Sequence, residues 1–169
     1  HSRILMAQSP TLVLRSVLYE DWHLLITWRN DPETVENSIH QFPILLAEHK
    51  AWLARKLCDP QCIMLIGEVE GVPIGQVRFD CDGTTAEVSV VVGPKFRGKG
   101  YGTLLLAEAC NVSGQWDYVA YIKPGNHASF AAFEKAGFSR TRQTIVEGIC
   151  VERLDRFRND TQDPPCTSI

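Results

Sequence analysis

Long apolar runs and blocks of basic residues are both missing from this sequence of 169 residues. No stretch reaches the roughly 18 apolar residues of a membrane-spanning helix, and no charged-then-apolar leader stands at the start. Lysine and arginine never occupy more than two consecutive positions, and the net charge is −3. A nucleic-acid-binding protein would carry a basic stripe. We therefore expect a protein of the cytoplasm that binds neither membrane nor nucleic acid.

Cysteine pairs with metal-ligand spacing are missing as well. The six cysteines are scattered, and no two of them form a C-x-x-C pair. Several lie in apolar surroundings, where a free cysteine packs as a small hydrophobic residue. We expect neither a zinc site nor a disulfide framework, and no metal cofactor.

The length fits a single domain that can bury roughly 70% of its unfolded surface. We expect residues 1–10 to be an N-terminal extension, of which 1–5 precede the natural start at Met6. The domain is expected over 11–158, and 159–169, with two prolines and no periodicity, as a loose tail.

Apolar spacing predicts the element order β-α-α-β-β-β-α-β-α-β-β without a repeat or a second domain. Strands are predicted at 11–17, 62–68, 74–79, 86–92, 117–122, 144–150 and 151–156, the last two as a hairpin around Glu147 and Gly148. Helices are predicted at 22–29, 46–57, 101–112 and 126–136. Residues 33–43 are polar and are predicted to be irregular.

A strand dense in valine turns into a helix through Gly98, Gly100 and Gly102. A helix that starts there leaves its first backbone N–H groups unpaired at the positive end of its dipole, which favours a bound anion. Glycine lets a pyrophosphate approach those amides, because no Cβ stands in the way. Arg97 and Lys99 add positive charge, so the turn predicts a phosphate site.

The glycine turn resembles two known phosphate-binding motifs but departs from each at a residue that the motif requires. The spacing of Gly93, Gly98 and Lys99 matches a Walker A loop, but Gly100 stands where that loop has Ser or Thr to bind Mg²⁺. A dinucleotide fingerprint would need G-x-G-x-x-G instead of G-x-G-x-G. A nucleotide triphosphatase and a dinucleotide-binding protein are both disfavoured.

Two segments resemble the GNAT superfamily of N-acetyltransferases. Residues 97–102, Arg-Gly-Lys-Gly-Tyr-Gly, are similar to its pyrophosphate loop, and residues 126–138, from Asn126 to the closing Gly-Phe, are similar to its later helix. They stand in the family's order, separated by one helix and one strand. The resemblance implies an α/β (α+β) fold with a mixed, mostly antiparallel sheet of about seven strands and four helices. It also implies strands that splay at the site and acetyl-CoA as co-substrate.

The resemblance also implies which residues hold the coenzyme. They are Val90, Val91, Val92, Arg97, Gly98, Lys99, Gly100, Tyr101, Gly102, Thr103, Asn126 and Phe133. A backbone N–H at Val91 or Val92 is expected to stabilise the oxyanion of the tetrahedral intermediate. Asn126 fits a coenzyme contact and a helix N-cap, and the cap is favoured.

Acetyl transfer to an amine needs a base, and Glu87 is the candidate because it precedes the glycine turn on the same strand. An exposed position on the strand rim explains Glu87 equally well. Many relatives use a tyrosine as general acid where this chain has Phe133. Tyr121, Ser129 or a water is expected to replace it, unless the thiolate leaves unassisted.

The acceptor side is expected between residues 11 and 57. Residues 28–33, followed by His49 and Trp52, are similar to N-acetyltransferases of UDP-linked 4-amino-dideoxy sugars of the pseudaminic acid type. The candidate substrate-binding residues are Trp28, Arg29, Asn37, Ser38, His40 and His49. Trp28 or Trp52 could stack on a nucleotide-sugar, although their helical spacing favours core packing.

Three functions remain open. The first is acetylation of a nucleotide-sugar amine, the second is acetylation of protein N-termini or polyamines, and the third is a coenzyme-binding sensor without activity. An acidic cleft would favour a cationic acceptor, whereas Arg29 in a mixed pocket would favour a sugar nucleotide. We expect a small-molecule partner, and a homodimer is among the oligomeric states left open.

Overall fold

A computed structural model describes residues 10–114 and 116–158, which form one seven-stranded sheet with helices on both faces. The strands are β1 (Leu12–Ser16), β2 (Cys62–Val69), β3 (Val72–Asp82), β4 (Thr85–Val92), β5 (Asp117–Ile122), β6 (Ser139–Val146) and β7 (Ile149–Arg156). Their order is β1-β2-β3-β4-β5-β7-β6, and only the β4–β5 pair is parallel. The mixed, mostly antiparallel sheet predicted from the sequence is confirmed.

Five helices connect the strands: α1 (Trp22–Arg29), α2 (Pro32–Asn37), α3 (Leu46–Cys58), α4 (Tyr101–Ser113) and α5 (His127–Lys135). Short 3₁₀ turns precede α1 at Tyr19–Asp21 and α4 at Pro94–Phe96. No helix in the described ranges is long and apolar enough to cross a membrane.

The sheet separates two hydrophobic cores. Side chains on a strand alternate between the two faces, so on β2 Met64 and Ile66 join the smaller core while Ile63 and Leu65 pack against the larger one. The smaller core contains residues of α1 and α3, and the larger contains residues of α4 and α5. The two groups of helices therefore cover opposite faces.

Helix α2 lies in the segment that was expected to be irregular. Asp31 caps it by accepting a hydrogen bond from the Thr34 backbone N–H, and Pro32 occupies its first turn. Proline suits that position because its missing N–H would have no partner there. Helix α1 ends at Arg29, and Asp31 and Pro32 begin α2 soon after it, a start signal that the expectation of an irregular segment overlooked.

Two paired glycines set the position of α4 on the sheet. Gly67 on β2 and Gly75 on β3 are register partners, and a Cβ on either would lie within 2.6 Å of the Leu105 side chain. Leu105 is fully buried in the resulting hollow. Close packing at this point anchors the helix that follows the glycine turn.

The C-terminal hairpin turns at Glu147 and Gly148, as predicted, and both have positive φ. Strand β6 begins at Ser139, earlier than expected. The prediction missed its first five residues because they are exposed and polar and show no apolar alternation. Among the described cysteines, Cys81 and Cys110 are buried as expected, while Cys58 and Cys150 are exposed.

Candidate active site

Strands β4 and β5 part in the middle of the sheet. They pair only over Thr85–Glu87, although β4 continues to Val92 and β5 to Ile122. On the other side, β4 stays paired with β3 along its whole length. One edge of β4 therefore faces an opening beyond Glu87.

The hydrogen bonds at both ends of β4 show which amides face this opening. The Thr84 carbonyl accepts from Asp117 N on the β5 side at 2.9 Å, whereas Gly93 N donates to the Ile74 carbonyl on the β3 side at 2.8 Å. Backbone groups alternate along a regular strand. The N–H groups of Val90 and Val92 therefore face the opening, and that of Val91 faces β3.

The glycine turn lies at the end of the opening. Gly98 and Gly100 have φ of +74° and +80°, and no atom lies within 4 Å of the point where a Cβ on either would stand. Gly100 is the left-handed N-cap of α4, so the unpaired N–H groups of the first turn face open space. Gly102 packs α4 against Ala132 of α5 and Val92 of β4, each 3.5 Å from where its Cβ would stand. The turn is an open cradle that any side chain at Gly98 or Gly100 would narrow.

Arg97 does not extend into the cradle. Its Nη1 lies 2.8 Å from Asp31 and 2.7 Å from Glu33, and its Nη2 donates to Thr34 Oγ1 at 2.9 Å. The guanidinium thus joins the glycine turn to the start of α2. Arg97 therefore contributes only backbone groups to the cradle. Lys99 is exposed at the turn.

A cavity of about 310 Å³ lies on the face of the sheet that α1 and α3 cover, between these helices and strands β3 and β4. Its lining includes four residues predicted from the sequence, Arg29, His40, His49 and Trp52, together with Leu25, Ile44, Gln76, Arg78, Ser89 and Val91. Val91 and Ser89 connect this cavity to the strand that borders the opening. The arrangement places a small-molecule pocket next to the splayed strands.

Three of the predicted acceptor residues do not line the cavity. Trp28 is 5% exposed in the smaller core, and its indole Nε1 would lie 2.8 Å from a Cβ on Gly93. Ser38 donates its hydroxyl to the Thr34 carbonyl at 2.6 Å, and Asn37 ends α2. Trp28 packs in the core, as its helical spacing favoured, and a substrate contact at Asn37 or Ser38 stays a prediction.

Buried nitrogen atoms are concentrated at the cavity. Arg29 Nη2 donates to the His40 carbonyl at 2.9 Å, while Arg29 Nη1 and His49 Nε2 are buried without a hydrogen-bond partner in the described part of the chain. Burial lowers the pKa of Arg29, and the nearby Arg78 lowers it further. Burial also lowers the pKa of His49, against a hydrogen bond with the Trp22 backbone that raises it.

Glu87 lies on the cavity side of β4, two residues before Ser89, and it remains exposed to solvent. Partial withdrawal from water raises its pKa, and the Asp80 carboxylate opposite it on β3 raises it further, while Arg78 and Lys56 oppose the shift. A raised pKa suits a general base that works near neutral pH.

The remaining candidates lie on β5 and α5. Tyr118, Ala120 and Ile122 of β5 belong to the larger core, so by alternation Tyr121 faces the cavity side of the sheet. Asn126 is the N-cap of α5 and accepts from Ser129 N at 3.3 Å. Phe133 is 3% exposed, with its ring edge-on to Phe138 at 4.9 Å. A coenzyme contact at Phe133 and acid catalysis by Tyr121 or Ser129 stay predictions.

Sequence reasoning missed Gln76, Arg78 and Ser89 in the cavity lining. On β3, Gln76 and Arg78 alternate with the buried Val77 and Phe79, which shows that they share one face. That signal could have placed them on the acceptor side. Among residues 10–114 and 116–158, no group of three His, Cys, Asp or Glu side chains could hold a metal.

Solved structures of acetyltransferases share this fold. An aminoglycoside acetyltransferase AAC(6')-Ib in complex with coenzyme A and kanamycin is 21% identical, with a TM-score of 0.74 over 88% of this chain and 95% of that chain. Spermidine N-acetyltransferase from Vibrio cholerae in complex with CoA and spermine is 16% identical, with a TM-score of 0.76 over 87% and 95%. A candidate phosphinothricin N-acetyltransferase is 23% identical, with a TM-score of 0.74 over 89% and 100%.

The sequence comparisons identify a family for this chain but no individual curated relative. None of the curated protein sequences is a significant match to this chain. The family model described as acetyltransferase (GNAT) domain matches residues 11–139, about three quarters of the chain. The chain therefore belongs to the acetyltransferase (GNAT) domain family, which confirms the fold and the acetyltransferase class expected from its sequence.

Proposed function

We propose that this protein transfers an acetyl group from acetyl-CoA directly to a primary amine of a small molecule. The opening between β4 and β5 carries the proposal, because the glycine cradle lies at its end and the 310 Å³ cavity lies against β4. The arrangement lets the coenzyme and the acceptor approach the same strand from different sides.

The coenzyme is held chiefly by the backbone in this proposal. The amides of residues 98–103 bind the pyrophosphate at the start of α4, where the open space in front of Gly98 and Gly100 admits it. The pantetheine arm bonds the edge of β4 at Val90 and Val92. Because the Val91 N–H faces β3, Val92 is the better of the two expected oxyanion donors. Such a donor is typically worth about 3–4 kcal/mol.

In the chemical step, the neutral amine nitrogen attacks the thioester carbonyl carbon. A C–N bond forms, the C–S bond breaks, and the proton lost by the nitrogen passes to Glu87, directly or through a water. The coenzyme leaves as a thiolate and takes up a proton. Tyr121 is the candidate donor, because it faces the cavity side of β5.

For the acceptor, we propose the 4-amino group of a nucleotide-linked deoxysugar. Arg29 lines a cavity with mixed polar and apolar walls, and this is the arrangement that we expected to favour a sugar nucleotide over a cationic acceptor. Protein N-termini and polyamines are the alternative acceptors. A coenzyme-binding sensor without catalytic activity is the alternative function. The structural neighbours are named for acceptors as different as aminoglycosides, spermidine and phosphinothricin, so the fold does not select among them. A cytoplasmic location and a homodimer stay predictions.

The base is tested with Glu87→Gln. We expect turnover at neutral pH to fall by about 10²- to 10⁴-fold, because a positioned base contributes a factor of that size. The acetyl-CoA dissociation constant should not change, since the proposed coenzyme contacts at Val90, Val92 and residues 98–103 do not include the Glu87 side chain. Glu108→Gln, an exposed carboxylate on α4, is the matched control. Unchanged turnover in Glu87→Gln would remove Glu87 as the base.

The acceptor is tested by offering amino-sugar nucleotides, peptides and polyamines with acetyl-CoA and measuring the release of free thiol. We expect release with amino-sugar nucleotides. Release with peptides or polyamines alone would favour the alternatives, and coenzyme binding without release from any amine would favour the sensor.

A further inference from the structure

Positive charge dominates the lining of the acceptor cavity. Arg29 comes from α1 and Arg78 from β3, and no lining residue in the described ranges is an Asp or Glu. The Arg78 guanidinium lies 5.3 Å from the centre of the Trp52 ring, and Trp52 stacks on His49 at 5.9 Å. The two arginines and this aromatic pair form one polar wall.

The neighbouring carboxylates leave Arg29 uncompensated. Asp80 is shared, since it pairs with Arg78 Nε at 2.9 Å and with Lys56 Nζ at 2.8 Å. Glu87 lies opposite Asp80 on β4, and among the described residues it forms no ion pair with Arg29. Arg29 has no carboxylate partner among the described residues, and its Nη1 is buried without a hydrogen bond. A half-buried guanidinium without a counter-charge is costly, so a ligand that brings one is favoured.

We propose that the acceptor carries an anionic group, a phosphate or a carboxylate, and that Arg29 and Arg78 bind this group beside the reacting amine. The inference rests on the proposed function. Among primary amines it selects those that carry an anion, of which the nucleotide-linked sugar is one. Arginine suits the role because its planar fork matches both kinds of oxyanion.

The geometry agrees with an anion close to the amine. Arg78 lies opposite Ser89 in the β3–β4 ladder, and the opening lies on the far side of β4. Adjacent strands are about 4.8 Å apart, so the anion site and the opening are separated by about one to two strand spacings. A small amine with a phosphate or carboxylate a few bonds away spans that distance. Polycationic acceptors meet two like charges on the wall, which disfavours them.

The first test measures binding without catalysis. With coenzyme A bound to occupy the cradle, inorganic phosphate, glutamate and spermidine are titrated while the Trp52 indole N–H resonance is followed, assigned with Trp52→Phe. We expect saturable shifts with phosphate and glutamate, and their loss in Arg29→Gln. Arg29→Lys should restore part of the binding, and Arg55→Gln on the exposed side of α3 should leave it unchanged. Binding of spermidine alone, or anion binding that survives Arg29→Gln, would overturn the inference.

The second test compares acceptors that differ in the anion only. One pair is an amino-sugar phosphate and the same free amino sugar, and the other is an amino acid and its amide. We expect the anionic member of at least one pair to have the larger kcat/KM, by about 10- to 100-fold, which is what charge-assisted hydrogen bonds typically contribute. That advantage should disappear in Arg29→Gln. The pair that shows it identifies phosphate or carboxylate as the source.

The outcomes separate the inference from the proposed function. Faster acetylation of neutral or cationic amines would overturn the anion site but leave acetyl transfer intact. If no amine is acetylated although coenzyme A binds, the proposed function fails, and the titration with phosphate and glutamate still decides whether the cavity binds anions.

Discussion

Gly93 shows how a single residue connects the core to the site. It directly follows Val92, and its φ of −56° is open to any residue, so space alone explains the glycine. The Trp28 indole fills the place where a Cβ would stand. This contact holds the end of β4 against α1, next to the amides that face the opening.

We predict that Gly93→Ala destabilises the protein by about 1–3 kcal/mol, because the new methyl group would lie 2.8 Å from Trp28 and 3.1 Å from Phe96. Urea unfolding measures the change. Gly125→Ala is the control, since no atom lies within 4 Å of the place its Cβ would take, and it should not lose stability. Equal stability of the two variants would contradict close packing at Gly93.

At the scale of elements, the start of α4 separates backbone strain from ligand binding. Gly100 and Gly83 both have positive φ and open space where a Cβ would stand, but Gly83 lies in the distant β3–β4 turn. We predict similar losses of stability, about 1–2 kcal/mol, for Gly100→Ala and Gly83→Ala. Only Gly100→Ala should weaken acetyl-CoA binding, measured by calorimetry. Equal coenzyme affinities in the two variants would place the pyrophosphate elsewhere.

The hairpin of β6 and β7 contains a buried carboxylate, that of Asp155. Asp155 is 7% exposed, accepts from Thr141 Oγ1 at 2.6 Å and pairs with Arg153 Nη2 at 2.9 Å. Burial alone would raise its pKa, but Arg153 and Thr141 lower it overall. A lowered pKa means that the folded protein favours the charged form, so this stabilisation is present above the ordinary value of 3.8 and is lost as the pH falls below it.

We therefore predict that Asp155→Asn lowers the free energy of unfolding by about 1–3 kcal/mol at pH 7. At pH 3 the difference from the wild type should shrink, because the carboxyl of the unfolded wild-type chain, with its ordinary pKa of 3.8, is then mostly protonated. Denaturant unfolding at the two pH values checks this. Asp82→Asn, exposed at the end of β3, should change stability by less than about 0.5 kcal/mol. A loss that does not depend on pH would contradict the electrostatic origin.

The sequence predicted elements well where local signals agree with the fold. Strand β5 has the predicted bounds, and Asn126 caps α5 as its residue type favours. It failed at α2, which Asp31 and Pro32 begin soon after the end of α1, and at β6, whose first five residues show no apolar pattern. The cavity was only partly predicted. Alternation on β3 assigns Arg78 to one face of the sheet, but no local pattern contains the register that sets it opposite Ser89 or the packing that brings Arg29 to the same cavity.

At the scale of the whole molecule, coenzyme binding should be visible as stability. A ligand at 100 times its dissociation constant stabilises the folded state by about 2.7 kcal/mol. For a chain of this size that corresponds to a rise in Tm of about 5–11 °C. Thermal unfolding with acetyl-CoA, at a concentration set from a calorimetric dissociation constant, measures it. A Tm that does not move would contradict coenzyme binding by this fold.

The parting of β4 and β5 also bears on self-association. A strand edge at the rim of a sheet invites pairing with other chains, and proteins normally protect such edges. Here the exposed edge lies inside the sheet, because β5 still flanks it and pairs with β7 on its far side. A second polypeptide would have to fit between two strands of the same molecule. The pantetheine arm of the coenzyme is narrower and has few side groups, so it fits there more easily. The protein thus offers backbone hydrogen bonds to a small molecule while limiting the risk of aggregation through that edge.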